Sequence, residues 1–134
     1  MLLCDVRGWR NNNPGNLTDT AIDWDGETGL NLDPNFEEFT TPEYGIRAIG
    51  KLLLNYQKIH GIDTVTGVVS RYAPNTENPT ADYIDFVCNE TGLKADEPIS
   101  IHAHLFPLVK AIIKFEMGIQ PYSDDLIVKS LNMI

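Results

Sequence analysis

The chain has 134 residues and a mass of 15.0 kDa, the size of one compact domain that buries about two-thirds of its unfolded surface without metal or disulfide staples. Its 43% hydrophobic and 22% charged residues exclude wholesale disorder, collagen-like repeats and coiled coils, and no run approaches the roughly 18 apolar residues of a membrane span. Ten Lys plus Arg against nineteen Asp plus Glu leave a net charge of −9, which argues against nucleic acid as a partner, because that affinity rests on cationic neutralisation of phosphates.

Residues 7–41 are rich in Asn, Asp, Gly and Pro, carry isolated aromatics at Trp9, Trp24, Phe36 and Phe39, and show no helical periodicity. They read as loops and short strands. Thr41-Pro42-Glu43 is a helix start with a hydroxyl cap, a proline at the first position and an acid near the positive dipole end. Ile46, Ile49, Leu53 and Tyr56 then recur at three- and four-residue intervals up to Gly61, an amphipathic helix. A shorter helix begins at Asp63 or Thr64, carries Val65, Val68, Val69 and Tyr72, and stops at Pro74. A third opens at Pro79 or Thr80, turns Tyr83, Ile84 and Val87 inward and ends near Gly92. The stretch from Ile101 to Phe115 places Leu105, Leu108, Val109, Ile112 and Ile113 at helical spacing and reads as the central buried helix. After Gly118, Pro121 and Ser123, a last helix runs from Asp124 to Asn132. The expected architecture is mainly α (α+β), about five helices with a small irregular or β lobe at the N-terminus.

Cys4 and Cys88 are too few for a disulfide framework, and a bridge between them would need Cα atoms that sequence cannot bring together. Met1-Leu2-Leu3-Cys4-Asp5 lacks the basic and apolar regions of a secretory signal, so work outside the cytosol would need another delivery route. Asn16-Leu17-Thr18 and Asn89-Glu90-Thr91 match the glycosylation pattern and read as structural. His60, His102 and His104 lack metal-ligand spacing, so neither metal nor cofactor is expected.

No nucleophile elbow, phosphate loop or metal-binding helix is present. What remains, carboxylates beside polar and aromatic side chains, is the inventory of a carbohydrate-cleaving cleft. Such chemistry needs a carboxylic acid kept protonated by apolar surroundings. Glu116, at the end of the most apolar helix in Ile112-Ile113-Lys114-Phe115-Glu116-Met117-Gly118, fits best, although an exposed helix-end acid would share that position.

Several motifs carry a resemblance. Arg10-Asn11-Asn12-Asn13-Pro14-Gly15-Asn16-Leu17, Trp24-Asp25-Gly26 and the run from Phe36 to Ala48 resemble a family of small phage and prophage virion proteins of lysozyme-like character. The octapeptide is the most specific part, and the likeness continues through Arg71-Tyr72-Ala73-Pro74, Glu77-Asn78-Pro79-Thr80 with Tyr83, and Glu116-Met117-Gly118 with Pro121-Tyr122. The front segment is also similar to the β lobe of peptidoglycan glucosaminidases, and Tyr72 to Tyr83 to the tyrosine loop of lytic transglycosylases. In both groups the catalytic glutamate lies upstream of the β lobe. Here nine residues precede Arg10, none of them Glu, whereas the segment from Ile112 to Tyr122 is similar to the helix-end glutamate motif. The resemblance therefore implies a circularly permuted lysozyme-like fold, a single domain over 1–134 with a front lobe at 7–41 and a helical lobe at 42–134, and termini are often close enough to permit this.

The implied activity is cleavage of the peptidoglycan glycan strand by a muramidase or lytic transglycosylase. The rival is a non-catalytic virion structural or cell-wall-binding protein. Glu116 would be the general acid, with Glu77 or Glu43 (Glu27 is a further candidate) as a second carboxylate. Asn13, Asn16, Trp24, Tyr72, Asn78 and Tyr83 would bind substrate. Each has a plainer alternative: Glu43 caps a helix dipole, Glu77 braces a turn, Trp24 fills the lobe core, and at least two of the asparagines hold turns. Arg47 could pair with Glu43 at helical spacing. Expected partners are glycan strands and other virion proteins, at the bacterial wall or periplasm.

Overall fold

The computed structural model describes residues 6–18, 23–30, 32–74 and 79–134. Among them the helices are α1 (Arg7–Arg10), α2 (Pro42–His60), α3 (Val65–Tyr72), α4 (Thr80–Thr91), α5 (Leu105–Met117) and α6 (Asp124–Leu131). The chain is mainly α, as its periodicity indicates.

Helix ends fall where capping chemistry puts them. The hydroxyls of Thr41, Thr64 and Ser123 accept from the backbone N–H groups of Tyr44, Gly67 and Leu126, closing the first turns of α2, α3 and α6. Gly61, Gly92 and Gly118 end α2, α4 and α5 in the left-handed conformation. α5 starts later than its periodicity suggests, because 101–104 form turns. It is the central helix: Leu108, Val109, Ile112 and Ile113 are at most 1% exposed, and α1, α2, α4 and α6 all pack on it. Each such side chain stabilises the fold by about 1.5–3 kcal/mol on burial. Gln57 of α2 ties down the α4–α5 connection, donating to the Ile99 carbonyl (3.2 Å) and accepting from the Ile101 N–H (2.8 Å).

The front segment departs from expectation in two ways. Its start, Arg7–Arg10, forms the one-turn α1, which no sequence periodicity announces. The strands expected across 7–41 appear, among the described residues, as two isolated bridges, Thr18 with Phe36 and Glu27 with Phe39. The segment is held instead by side chains. Asp33 accepts from both Arg7 (2.6 and 2.8 Å) and Asn11 (2.9 Å), and Leu17, Phe39 and Ala48 form a small second core with Trp24 and Tyr44 against it. Arg47 pairs with Asp25 of this segment at 3.2 Å rather than with Glu43, and also donates to the Met133 carbonyl (3.3 Å). One side chain thereby links front segment, α2 and C-terminus. Cys88 is a free, half-buried thiol, and Cys4 lies outside the described residues.

Candidate functional site

Between the front segment and the helices lies a groove of about 910 Å³. Asn16, Leu17, Trp24 and Phe36 form one wall, Leu52, Tyr56, Arg71 and Tyr72 from α2 and α3 form the other, and Phe115 with Glu116 closes the floor. Glu116 is the one acidic side chain lining it among the described residues.

The Asn-rich octapeptide builds the front wall, each asparagine with a separate task. Asn12 and Asn16 adopt the left-handed conformation, φ 51° and 50°, which asparagine tolerates better than most residues because its short amide bonds locally. The Asn12 amide donates to the Phe39 carbonyl (3.1 Å). Asn13 is fully buried, donates to the carbonyls of Leu17 (2.9 Å) and Glu37 (3.0 Å), and accepts from the Leu17 N–H (3.0 Å). Both of its N–H donors are spent on backbone, so Asn13 shapes the wall and offers nothing to a ligand. Gly15 sits so close to Ile49 and the Tyr72 hydroxyl that any Cβ would collide with both. In return, that hydroxyl donates to the Gly15 carbonyl at 2.5 Å, fastening the turn to α3.

Asn16 points the other way, into the groove. Its Nδ2 donates to Glu116 Oε1 at 3.2 Å and to the Glu116 backbone carbonyl at 3.3 Å, across 100 residues of chain. The most specific motif of the sequence and its best acid candidate thus meet directly. Around them the surroundings are apolar. Phe115 stacks on the Tyr83 ring with centroids 3.7 Å apart, and Tyr83 is buried. The Tyr83 hydroxyl has no partner in hydrogen-bond geometry, yet it lies near enough to Glu116 to favour its charged form. Burial wins: loss of solvent lifts the Glu116 carboxyl above its ordinary 4.5, against the pull of Tyr83 and Asn16. The Tyr72 hydroxyl is also held well above its usual range, by burial first and then by the charges of Glu116 and Tyr56.

Among the described residues two cations line the groove. Arg7 is committed to Asp33, whose carboxyl it holds well below the ordinary 3.8, and its guanidinium lies over the Phe36 ring at 4.5 Å. Arg71 lies 5.5 Å from the centroid of the Tyr56 ring, with Nη2 3.1 Å from His60 Nε2. Burial pushes Tyr56 up to about 12, partly offset by the positive charge of Arg71.

The remaining candidates separate. Trp24 lines the groove while its ring also packs on the small core. Tyr72 lines it, and Tyr83 lies behind Glu116, within reach of its charge. Glu43 does not line it, standing in the first turn of α2, where its charge helps burial raise the Tyr122 hydroxyl. Glu27 is occupied in its own turn, accepting from the Trp24 N–H at 2.7 Å. Glu77 and Asn78 lie outside the described residues. Arg7, Leu52, Tyr56 and Arg71 line the groove without having been singled out by sequence. For Arg71 a signal existed, its place directly before Tyr72 in the tyrosine motif. No group of three or more His, Cys, Asp or Glu side chains among the described residues is placed to hold a metal.

Fold and groove together define a small, mainly helical protein in which, among the described residues, one half-buried carboxyl faces an open, aromatic-walled groove. No protein-family profile matches the chain. It is 42% identical over 128 residues to Protein P5 of Pseudoalteromonas phage PM2, an alignment covering 92% of this chain and 79% of that protein. The chain therefore belongs to the family of that phage protein, and the phage connection expected from the sequence motifs holds at this level.

Proposed function

We propose that this chain cleaves the glycan strand of peptidoglycan, with Glu116 as the general acid. The observation that carries the reading is the Glu116 carboxyl itself: largely withdrawn from water, raised in pKa by that burial, and held by Asn16 at the floor of an open groove. A carboxyl so placed keeps its proton for a leaving glycosidic oxygen. As the bond between the anomeric carbon and that oxygen breaks, the proton passes from Glu116 to the oxygen, and the carboxylate left behind takes a proton from the attacking hydroxyl. Trp24 and Tyr72 supply faces and edges for sugar rings.

The identity of the attacker separates the two enzyme classes. A hydrolase activates water with a second carboxylate about 5–10 Å from the first. A lytic transglycosylase uses the 6-hydroxyl of the muramyl residue and one acid. Among the described residues the groove has one carboxylate, which favours the transglycosylase. We read residues 1–134 as one lysozyme-like unit in permuted order, the helix-end glutamate following the front lobe instead of preceding it, at work on the bacterial wall as part of a phage particle.

Mass spectrometry of the soluble products from purified sacculi tests this with wild type, Glu116→Gln and Glu77→Gln. Anhydro-muropeptides lost on Glu116→Gln and kept on Glu77→Gln are expected. Reducing-end products lost in both variants would make the protein a muramidase with Glu77 as the second carboxylate. No soluble product from wild type, with sacculus binding retained, would leave the non-catalytic wall-binding or virion structural reading.

A further inference from the structure

The groove contains a cation that the cleavage chemistry does not use. Arg71 lies near the end of α3 with an exposed side chain, and makes no ion pair among the described residues, whereas Arg7 is fully engaged by Asp33. Two neighbours fix its position without neutralising it, the Tyr56 ring beneath the guanidinium and His60 beside it. Neither takes up the forked donor geometry that matches a carboxylate. In a chain of net charge −9, a guanidinium stacked in place on a groove wall without an ion pair among the described residues calls for an anionic ligand group. We infer that Arg71 recognises a carboxylate of the stem peptide carried by the muramyl residues, making the groove selective for peptide-bearing glycan over neutral sugar polymers.

This inference rests on the proposed peptidoglycan reading and deepens it. The ligand group must be a planar carboxylate able to accept two N–H donors, presented beside the sugar backbone. Stem peptides offer such groups at intervals along the strand, and neutral N-acetylglucosamine polymers offer none. Arg71 would act in binding and register, setting which sugars lie over Glu116, and it takes no part in proton transfer.

The test uses Glu116→Gln, so that binding is read without turnover, and compares it with Glu116→Gln/Arg71→Ala and Glu116→Gln/Arg71→Lys. Calorimetric titration is made with soluble peptide-bearing glycan strands, either native or with their carboxylates converted to amides by carbodiimide and ammonia. For the Arg71 protein, amidation of the strand should weaken binding about tenfold. For the Ala variant, native strands should already bind about tenfold more weakly, and amidation should add nothing. The Lys variant should recover part of the loss, keeping the charge and losing the fork. Equal affinity for native and amidated strands in the Arg71 protein overturns the inference, as does failure of both strands to bind. Intact, Arg71-dependent binding beside a wild type that releases no products would instead retire the cleavage reading and leave the inference standing.

Discussion

Asn16 and Asn13 lie three residues apart with amides in opposite roles, and substitutions should separate them. Asn16 bonds the Glu116 carboxyl and favours its charged form. Removing that bond lifts the carboxyl further. Because φ at Asn16 is +50°, glycine is the replacement that deletes the amide without straining the backbone. If Glu116 is the acid, Asn16→Gly should move the alkaline limb of the kcat/KM–pH profile to higher pH, since the proton is held longer. It should also lower kcat about 10–100-fold, the scale of a misplaced catalytic group. An unmoved limb would show that the bond does not control the acid. Asn13→Ala, in contrast, strands the N–H of Leu17 and removes the amide bonds to the carbonyls of Leu17 and Glu37 in a buried turn, leaving the Leu17 carbonyl only its bond from the Glu37 N–H (2.9 Å). At about 1–3 kcal/mol for a buried polar group left unpaired, the loss should reach about 3 kcal/mol. Urea denaturation reads it as a lowered midpoint with an unchanged slope.

At the level of elements, α2 lies against the octapeptide at Gly45 with no room for a side chain. A Cβ at Gly45 would fall onto the Asn12 carbonyl and against the Pro14 ring. Neither is the movable end of a side chain, so Gly45→Ala must push the turn off α2. Overpacking of this kind destabilises by about 1–3 kcal/mol, and because Asn16 hangs from the same turn, activity should fall further than stability explains. Comparing product release with Tm for Gly45→Ala checks this; activity falling only in step with the folded fraction would refute it.

Why some elements were legible in the sequence and others were not follows from the range of the interactions that hold them. The long helices are announced locally: Thr41, Thr64 and Ser123 cap and Gly61, Gly92 and Gly118 terminate within a few residues of the apolar pattern they bound. α1 and the bridges depend on Asp33, Phe36 and Phe39, which are 26, 18 and 12 residues from Arg7, Thr18 and Glu27 respectively, and no local periodicity encodes them. Glu116 could be picked out because a helix end in an apolar run is a local feature. The burial of the Asn13 amide, which the sequence offers as a substrate ligand, is visible only once Leu17 and Glu37 close around it. The place of Arg71 beside Tyr56 and His60 is created by side chains 11 to 15 residues earlier in the chain, and no local pattern announces it.

For the whole molecule, net charge sets how the protein would approach the wall substrate proposed for it. The chain carries −9, and peptidoglycan with its surroundings is often anionic, so the long-range force is repulsive. At 0.01 M salt the screening length is about 30 Å, beyond the roughly 14 Å radius of gyration of a domain this size, and the full charge opposes approach. At 0.1 M it shrinks to about 10 Å. The distant carboxylates then drop out, while the cations of the groove still act at contact. The association rate of Glu116→Gln with isolated sacculi should therefore rise about threefold or more from 0.01 to 0.1 M salt, the reverse of an electrostatically steered pair. Stopped-flow or sedimentation kinetics would measure it. A rate that falls over this interval would mean that the groove's own field, and not the net charge, governs encounter. In that case Arg71→Ala, which removes the one groove cation without an ion pair among the described residues, should abolish the fall.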